Sequence, residues 1–115
     1  MLPKLLSRST RESQADVVAA VRGWMEQADE QGIAAAVRSM MSRPDSTPGL
    51  AHIHVPSLIL CGDEDELTPP RDSEAMHREI AGSALQIIHG AGHLSNIEQP
   101  DAFNAALAAF LTHRL

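Results

Sequence analysis

One histidine and a run of four acidic residues have the clearest capacity for chemistry in this 115-residue sequence. The acidic run lies in CGDEDELTPP, residues 61–70, and the histidine, His93, lies in GAGHLSNIEQP, residues 90–100. A carboxylate that accepts a hydrogen bond from an imidazole Nδ1–H fixes the ring tautomer and stabilises the protonated ring. The second ring nitrogen, Nε2, is then free to act as a general base. This chemistry requires the two stretches to lie side by side.

The elements that precede these stretches indicate how the fold could bring them together. Residues 57–61 and 84–89 are short apolar runs, which predict two strands that are covered on both faces. Between them, two prolines and Gly82 bound a predicted helix over residues 71–80. Strands joined by a helix are parallel, so both strands end at the same edge of the sheet. Neighbouring strands lie about 4.8 Å apart, which puts the acidic run within side-chain reach of His93.

Helical periodicity dominates the rest of the chain. The apolar stripes of three predicted helices contain Val17, Val18, Val21, Trp24 and Met25, then Ile33, Ala36, Val37, Met40 and Met41, and after Pro100 Phe103, Leu107, Phe110 and Leu111. At this spacing we expect the stripes to pack in a core. The alternative for Met40 and Met41 is an adaptable binding surface, which this spacing favours less. Residues 43–49, RPDSTPG, predict a loop. We therefore expect an α/β fold with two N-terminal helices in residues 1–49 and a strand–helix–strand–helix part in residues 50–115.

Composition excludes several classes of protein. Hydrophobic residues make up 43% of the chain, which is enough for the core of one domain. A net charge of −6 argues against a nucleic-acid-binding protein and against binding to an anionic membrane surface. The single cysteine forms no thiol cluster for zinc, and the apolar start is too short for a signal peptide or a membrane span. We expect a cytoplasmic protein without a metal or a cofactor.

The motif around the acidic run resembles a known family. Gly62, Asp65, Thr68 and Pro69, followed after a strand by GAGHLSNIEQP, resemble the C-terminal part of the α/β-hydrolase fold family. In that family the catalytic acid follows the penultimate strand and the histidine follows the last strand, after an earlier nucleophile. By position, the resemblance implies that Asp65 is the catalytic acid and His93 is the catalytic base. The stretches MLPKLLS and TPP are most similar to enol-lactonase and carboxylesterase-like members.

The resemblance covers residues 55–111 strongly, and residues 1–54 resemble the end of a cap region and the helix that returns to the core. For Trp24 this resemblance leaves two roles open, the lining of a substrate pocket under the cap and packing between helices. The family places its nucleophile in a G-x-S-x-G turn, and no such motif occurs here with Ser, Cys or Asp at its centre. We therefore expect the chain to be the C-terminal part of a serine hydrolase that acts on a small carboxylic ester or lactone. Without a nucleophile, the chain alone is expected to be inactive.

Other roles for these polar residues fit the sequence less well. Asp63 is the rival of Asp65, but the distance from the preceding glycine and the following threonine favours Asp65. Counted from Asp63, an EF-hand loop would have its closing glutamate at Glu74, but Thr68 replaces the glycine needed at the sixth position and prolines fill the middle, so a calcium loop is rejected. His52 and His54 have no third ligand nearby, which makes a metal site weak. Cys61 ends a strand, so we expect a small buried hydrophobic residue and not a nucleophile.

The predicted sheet also indicates a partner. Two strands leave an edge of unpaired backbone groups and are marginal without a further strand. We expect the edge at residues 56–61, from Pro56 to Cys61, to pair with an N-terminal part that this chain lacks or with a second copy. The alternative function is a non-catalytic interaction or oligomerisation module derived from a hydrolase.

Overall fold

The structure, a computed structural model, describes residues 2–114 and has the α/β architecture that the sequence predicts. Its elements are α1 (Leu2–Leu5), α2 (Arg8–Ser13), α3 (Ala15–Gln27), α4 (Glu30–Ser42), a 3-10 helix (Thr47–His52), β1 (Leu58–Gly62), α5 (Pro70–Glu79), β2 (Ala84–Ile88), α6 (Ser95–Glu98) and α7 (Pro100–Arg114). The two long N-terminal helices and the strand–helix–strand–helix order are confirmed. Short helices α1, α2 and α6 and the 3-10 helix are additional, since one or two turns give no clear periodicity.

The two strands form a parallel pair, with Leu58 opposite Ala84 and Gly62 opposite Ile88. Helices α5 and α7 each pack against both strands. Ile59 and Ile88 are buried, whereas Leu60 is only partly covered. The parallel register puts the loops after β1 and β2 at one edge of the sheet, as the sequence predicts.

Local chemistry explains where several helices begin. The Ser7 hydroxyl accepts a hydrogen bond from the Thr10 N–H at the start of α2, and the Asp29 carboxylate accepts one from the Gly32 N–H at the start of α4. Such caps satisfy N–H groups that a helix cannot pair internally. Helix α5 has a proline in its first turn, where the missing N–H costs nothing. The caps of α2 and α4 and the proline of α5 therefore fix where these three helices begin.

The prediction of core packing is wrong for α4. None of its residues is buried, and its apolar side chains form an open surface, which we call the α4 face. The exposed fractions are 48% for Ile33, 44% for Val37, 60% for Met40 and 82% for Met41. Trp24 in α3 and Leu111 in α7 are also about half exposed. Within residues 2–114 no element covers the α4 face enough to bury any of its residues.

The N-terminal segment packs against the other end of the chain. Leu6 and Ser7 are almost fully buried, and the Ser7 N–H and hydroxyl bond to the loop region that follows β2. The division of the chain near residue 49 therefore stays a prediction. None of the helices in residues 2–114 has the length and hydrophobicity that crossing a lipid bilayer requires.

Candidate active site

Asp65 and His93 meet at the carboxyl edge of the parallel strands. Asp65 lies in the loop after β1, and His93 lies in the loop after β2. His93 Nδ1 is 3.0 Å from Asp65 Oδ2 and 3.2 Å from Asp65 Oδ1. This geometry lets the ring donate its Nδ1–H to the carboxylate and leaves Nε2 as the nitrogen that can accept a proton.

The Asp65 carboxylate is held by its own loop. Its Oδ1 accepts hydrogen bonds from the backbone N–H groups of Leu67 and Thr68, and its Oδ2 accepts one from the Thr68 hydroxyl, each at 3.0 Å. Burial alone would raise the pKa of Asp65, but the hydrogen bonds from Thr68 and His93 outweigh it, so the pKa lies below the ordinary value of 3.8. Asp65 is therefore a buried carboxylate that stays ionised at neutral pH and faces the imidazole.

The His93 ring is more accessible than its partner. Its side chain is 36% exposed, whereas the Asp65 side chain is 6% exposed. The Thr68 hydroxyl lies 3.4 Å from His93 Nδ1, close to the Asp65 bond. A carboxylate out of water and an imidazole at the surface are suited to pass protons to a ligand from the outer side of the ring.

The loop that carries His93, residues 90–94, is fixed by all five of its backbone N–H groups. We call it the histidine loop. The N–H groups of residues 90 and 91 donate to Asp63 Oδ1, at 3.0 Å and 3.3 Å. Those of Gly92 and Leu94 donate to Glu98 Oε2, at 2.9 Å and 3.1 Å. The His93 N–H donates to the Leu5 carbonyl at 2.8 Å. The orientation of the ring is therefore set by acceptors outside the loop.

Two different structural constraints require glycine at positions 90 and 92, before His93. Gly90 has a φ of +74°, a conformation that costs about 1–2 kcal/mol for a residue with a Cβ. Gly92 lies against the N-terminal segment, and a Cβ there would lie 2.8 Å from both the Leu5 carbonyl oxygen and the Ser7 nitrogen. One glycine turns the backbone and the other permits a close backbone contact.

An apolar cavity of about 520 Å³ opens beside the His93 ring. It is lined by Leu5, Val21, Trp24, Met25, Ala28, Ile33, Leu67, His93 and Leu94. His93 is the one ionisable residue in this lining, so within residues 2–114 the cavity offers apolar contacts and a single imidazole. A second groove, of about 630 Å³, has Arg11, Arg22 and Glu26 in its lining but does not include the Asp65–His93 pair.

The other residues singled out in the sequence lie outside this pair. Asp63 contacts the start of the histidine loop and lies 3.4 Å from the His89 ring, not next to His93. Cys61 is buried, and burial raises the pKa of its thiol, with nearby carboxylates adding to the effect. His52 and His54 are exposed at the end of the 3-10 helix and just after it. None of these side chains forms a hydrogen bond with His93.

Two parts of the site were not identified from the sequence: Glu98 and the backbone around Leu5. Glu98 is 1% exposed and accepts hydrogen bonds from both neighbours of His93. A glycine-rich loop with buried N–H groups needs acceptors, and Glu98 is the nearest carboxylate in the same stretch. This need for an acceptor is the feature of the sequence that points to Glu98. No pattern pointed to Leu5, because its contact joins distant parts of the chain.

Comparisons with known proteins give consistent relatives. A family model described as the alpha/beta hydrolase family matches residues 2–106. The 3-oxoadipate enol-lactonase 2 of Acinetobacter baylyi is 30% identical over 100 residues, which cover 87% of this chain and 37% of the relative. A thermophilic esterase from Thermogutta terrifontis has a TM-score of 0.94 at 38% identity, over 97% of this chain and 41% of the esterase. The enol-lactonase of Burkholderia xenovorans has a TM-score of 0.88 at 29% identity, over 97% of this chain and 42% of that enzyme.

These relatives are lactonases and esterases, the members that the sequence was expected to resemble. The chain spans about two fifths of the length of each of them.

Proposed function

The chain belongs to the alpha/beta hydrolase family, and on this basis we propose that it supplies the catalytic acid and base of a serine hydrolase acting on small carboxylic esters or lactones. His93 is the base and Asp65 is the acid that orients it. The observation that carries this proposal is the 3.0 Å contact of His93 Nδ1 with a buried, ionised carboxylate, beside an apolar cavity. Lactonase and esterase relatives support the reaction class.

In the proposed mechanism, His93 Nε2 removes the proton of a serine hydroxyl while the serine oxygen attacks the ester carbonyl carbon. Asp65 accepts the Nδ1–H throughout and stabilises the imidazolium that forms. His93 then gives the proton to the leaving alkoxide oxygen as the carbon–oxygen bond breaks. In the second half, Nε2 takes a proton from water, the hydroxide attacks the acyl-serine, and His93 returns the proton to the serine oxygen.

The nucleophile and the oxyanion donors come from residues outside this chain in the proposal. The sequence holds no G-x-S-x-G motif, and it spans only 37% of the enol-lactonase relative. An acid and a base without a nucleophile and oxyanion donors are expected to give little rate enhancement. The chain by itself is therefore the acid–base part of the site.

The test of the proposed function is a comparison of two proteins from the same gene. We expect the protein translated with the coding region upstream of residue 1 to hydrolyse p-nitrophenyl acetate, and the chain by itself to show background release of p-nitrophenol. Turnover by the chain alone that depends on His93 would contradict the assignment of the nucleophile to other residues. No turnover by either protein, on acetate, butyrate or lactone substrates, would favour the non-catalytic interaction module.

The cavity beside His93 favours substrates with an uncharged, apolar group. A dianionic substrate would lose its hydration without meeting a lysine or an arginine, because the lining within residues 2–114 contains neither. An alkyl group would instead remove apolar surface from water, at about 25 cal/mol per Å². We therefore propose that a short alkyl chain of the ester occupies this cavity.

Trp24 makes this binding measurable, because it lines the cavity and is the single tryptophan of the chain. We expect methyl hexanoate to shift Trp24 fluorescence to shorter wavelength in a saturable titration, and adipate to leave it unchanged. Leu67→Asp should weaken the effect at least about tenfold by placing a charge in the cavity. Leu107→Asp is the matched control, since Leu107 is similarly exposed on α7. A shift of Trp24 fluorescence with adipate equal to that with methyl hexanoate would contradict the proposed occupant. So would a Leu67→Asp variant that binds methyl hexanoate as well as the wild type does.

We also propose that the outer edge of β1, within residues 56–61, pairs with a further strand. Within residues 2–114 the sheet has two strands, which is marginal for an independent sheet. The open α4 face supports the same idea, because exposed apolar groups of this extent favour a partner. By sedimentation equilibrium we expect the chain alone to have a mass above the 12.4 kDa of a monomer, falling on dilution. A folded species that stays monomeric at all concentrations would contradict this pairing.

A further inference from the structure

Glu98 is a buried carboxylate for which the proposed mechanism has no direct use. It is 1% exposed and lies at the end of α6, directly after the histidine loop. Its Oε2 accepts the N–H groups of Gly92 and Leu94, at 2.9 Å and 3.1 Å, and its Oε1 accepts the Ser7 N–H at 2.7 Å. A buried carboxylate is costly unless its oxygens are paired, and here both are paired with backbone donors.

These hydrogen bonds hold the backbone on either side of His93. The residue before it and the residue after it donate to the same carboxylate oxygen. Between them, the His93 N–H donates to the Leu5 carbonyl at 2.8 Å, and the segment after Leu5 is itself tied to Glu98 through Ser7. Backbone N–H groups that converge on one anion form a rigid concave site. Rotation of the His93 backbone would break at least one of these bonds.

We propose that Glu98 is a positioning residue for His93. It forms no hydrogen bond with the His93 ring or with Asp65, and it acts by fixing the backbone from which the ring is aimed at Asp65. Its importance for the reaction depends on the proposed function, because only then does the Asp65–His93 bond serve catalysis. The bond itself can be measured without any turnover, so the two proposals fail separately.

Glu98→Gln is the most specific test, because it keeps the size of the side chain and replaces one carboxylate oxygen by an NH₂ group. An amide NH₂ cannot accept a hydrogen bond, so it would face either the Ser7 donor or the two donors beside His93. Glu74→Gln makes the same chemical change at an exposed position on α5 and serves as the control. Glu98→Asp keeps the charge but is too short by one methylene to reach both sets of donors.

The decisive readout is the tautomer of the neutral His93 ring, read from its ¹⁵N shifts in the chain labelled with ¹⁵N-histidine. His93→Ala identifies the signals among those of the other histidines. We expect the Nδ1–H form in the wild type and in Glu74→Gln, because Asp65 accepts that proton. In Glu98→Gln we expect a mixture that includes the Nε2–H form, which free imidazole side chains prefer. In the active hydrolase the same variant should lower kcat about tenfold to a hundredfold with little change in KM.

Each outcome decides the proposal. A wild-type tautomer in Glu98→Gln, even with a lower melting temperature, would assign Glu98 to stability alone and overturn it. If Glu98→Gln does not fold, the same spectrum of Glu98→Asp replaces it, and failure of both to fold would equally overturn the positioning role. A shifted tautomer with no hydrolase activity in any protein would uphold the positioning of His93 and reject the proposed function instead.

Discussion

His93→Ala should lower kcat for p-nitrophenyl acetate by about 10⁴-fold to 10⁶-fold in the proposed hydrolase that contains this chain. The methyl group cannot take the proton of the nucleophile or return it to the leaving oxygen, so acylation and deacylation both lose their general base. KM should change little, because in the proposed binding mode the apolar cavity rather than the imidazole supplies most of the contact with the alkyl group. Burst and steady-state release of p-nitrophenol measure the two half-reactions.

His54→Ala is the matched control for this variant. His54 is exposed and lies away from the cavity, near the start of β1. We expect its kcat and KM to stay within about twofold of the wild type, as for most surface substitutions. Equal turnover by His93→Ala and the wild type would remove His93 from the chemistry, whatever its distance from Asp65.

The meeting of Asp65 and His93 could be predicted because it depends on local signals. Two apolar runs bounded by proline and glycine indicate strands, and the helix between them forces the strands to run in parallel. The parallel register then puts both following loops at one edge, without any knowledge of the packing. Chain direction and strand spacing predict that the two loops meet, and the motif of Gly62, Asp65 and Thr68 selects Asp65 within the acidic run.

The acceptors that fix the histidine loop could not be predicted in the same way. Leu5 accepts the N–H of His93 from the far end of the chain, and no periodicity relates the two positions. Glu98 reads as a solvated residue in a polar segment, since burial of a carboxylate depends on donors that only the folded chain brings together. Local patterns therefore predict where the ring is, and tertiary contacts determine how it is held.

The α4 face shows a second limit of periodicity. Ile33, Val37 and Met40 recur at helical spacing, which indicates that one side of the helix is apolar but not what covers that side. The expectation of a core assumed that the covering element lies within the same residues. Among residues 2–114 no such element does, and the stripe that looked like core is exposed.

Asp65→Asn should lower kcat by about 10⁴-fold in the proposed hydrolase. The amide can donate to His93 Nδ1, which favours the ring form protonated at Nε2 and removes the base that faces the nucleophile. Thr68 should keep the side chain in place, because its hydroxyl and its N–H hydrogen-bond to Asp65. The large effect therefore comes from the tautomer, and the ¹⁵N shifts of His93 should report the Nε2–H form in this variant.

The same substitution should change the pH dependence of stability in a defined direction. Because the pKa of Asp65 in the folded chain lies below its ordinary value of 3.8, ionised Asp65 stabilises the fold fully above about pH 4. That contribution is lost as the pH falls through the folded pKa. The difference in the free energy of unfolding between wild type and Asp65→Asn, measured by urea denaturation, should be largest near neutral pH and should shrink below about pH 4.

Asp63→Asn separates the role of Asp65 from a general need for acidic residues in this loop. Asp63 holds the first two N–H groups of the histidine loop through Oδ1, and an asparagine carbonyl can accept the same bonds. We therefore expect a loss of kcat of less than about tenfold, against about 10⁴-fold for Asp65→Asn. A larger loss of kcat for Asp63→Asn than for Asp65→Asn would exchange the roles assigned to the two residues. The partner of His93 in solution would then differ from the one in the structure.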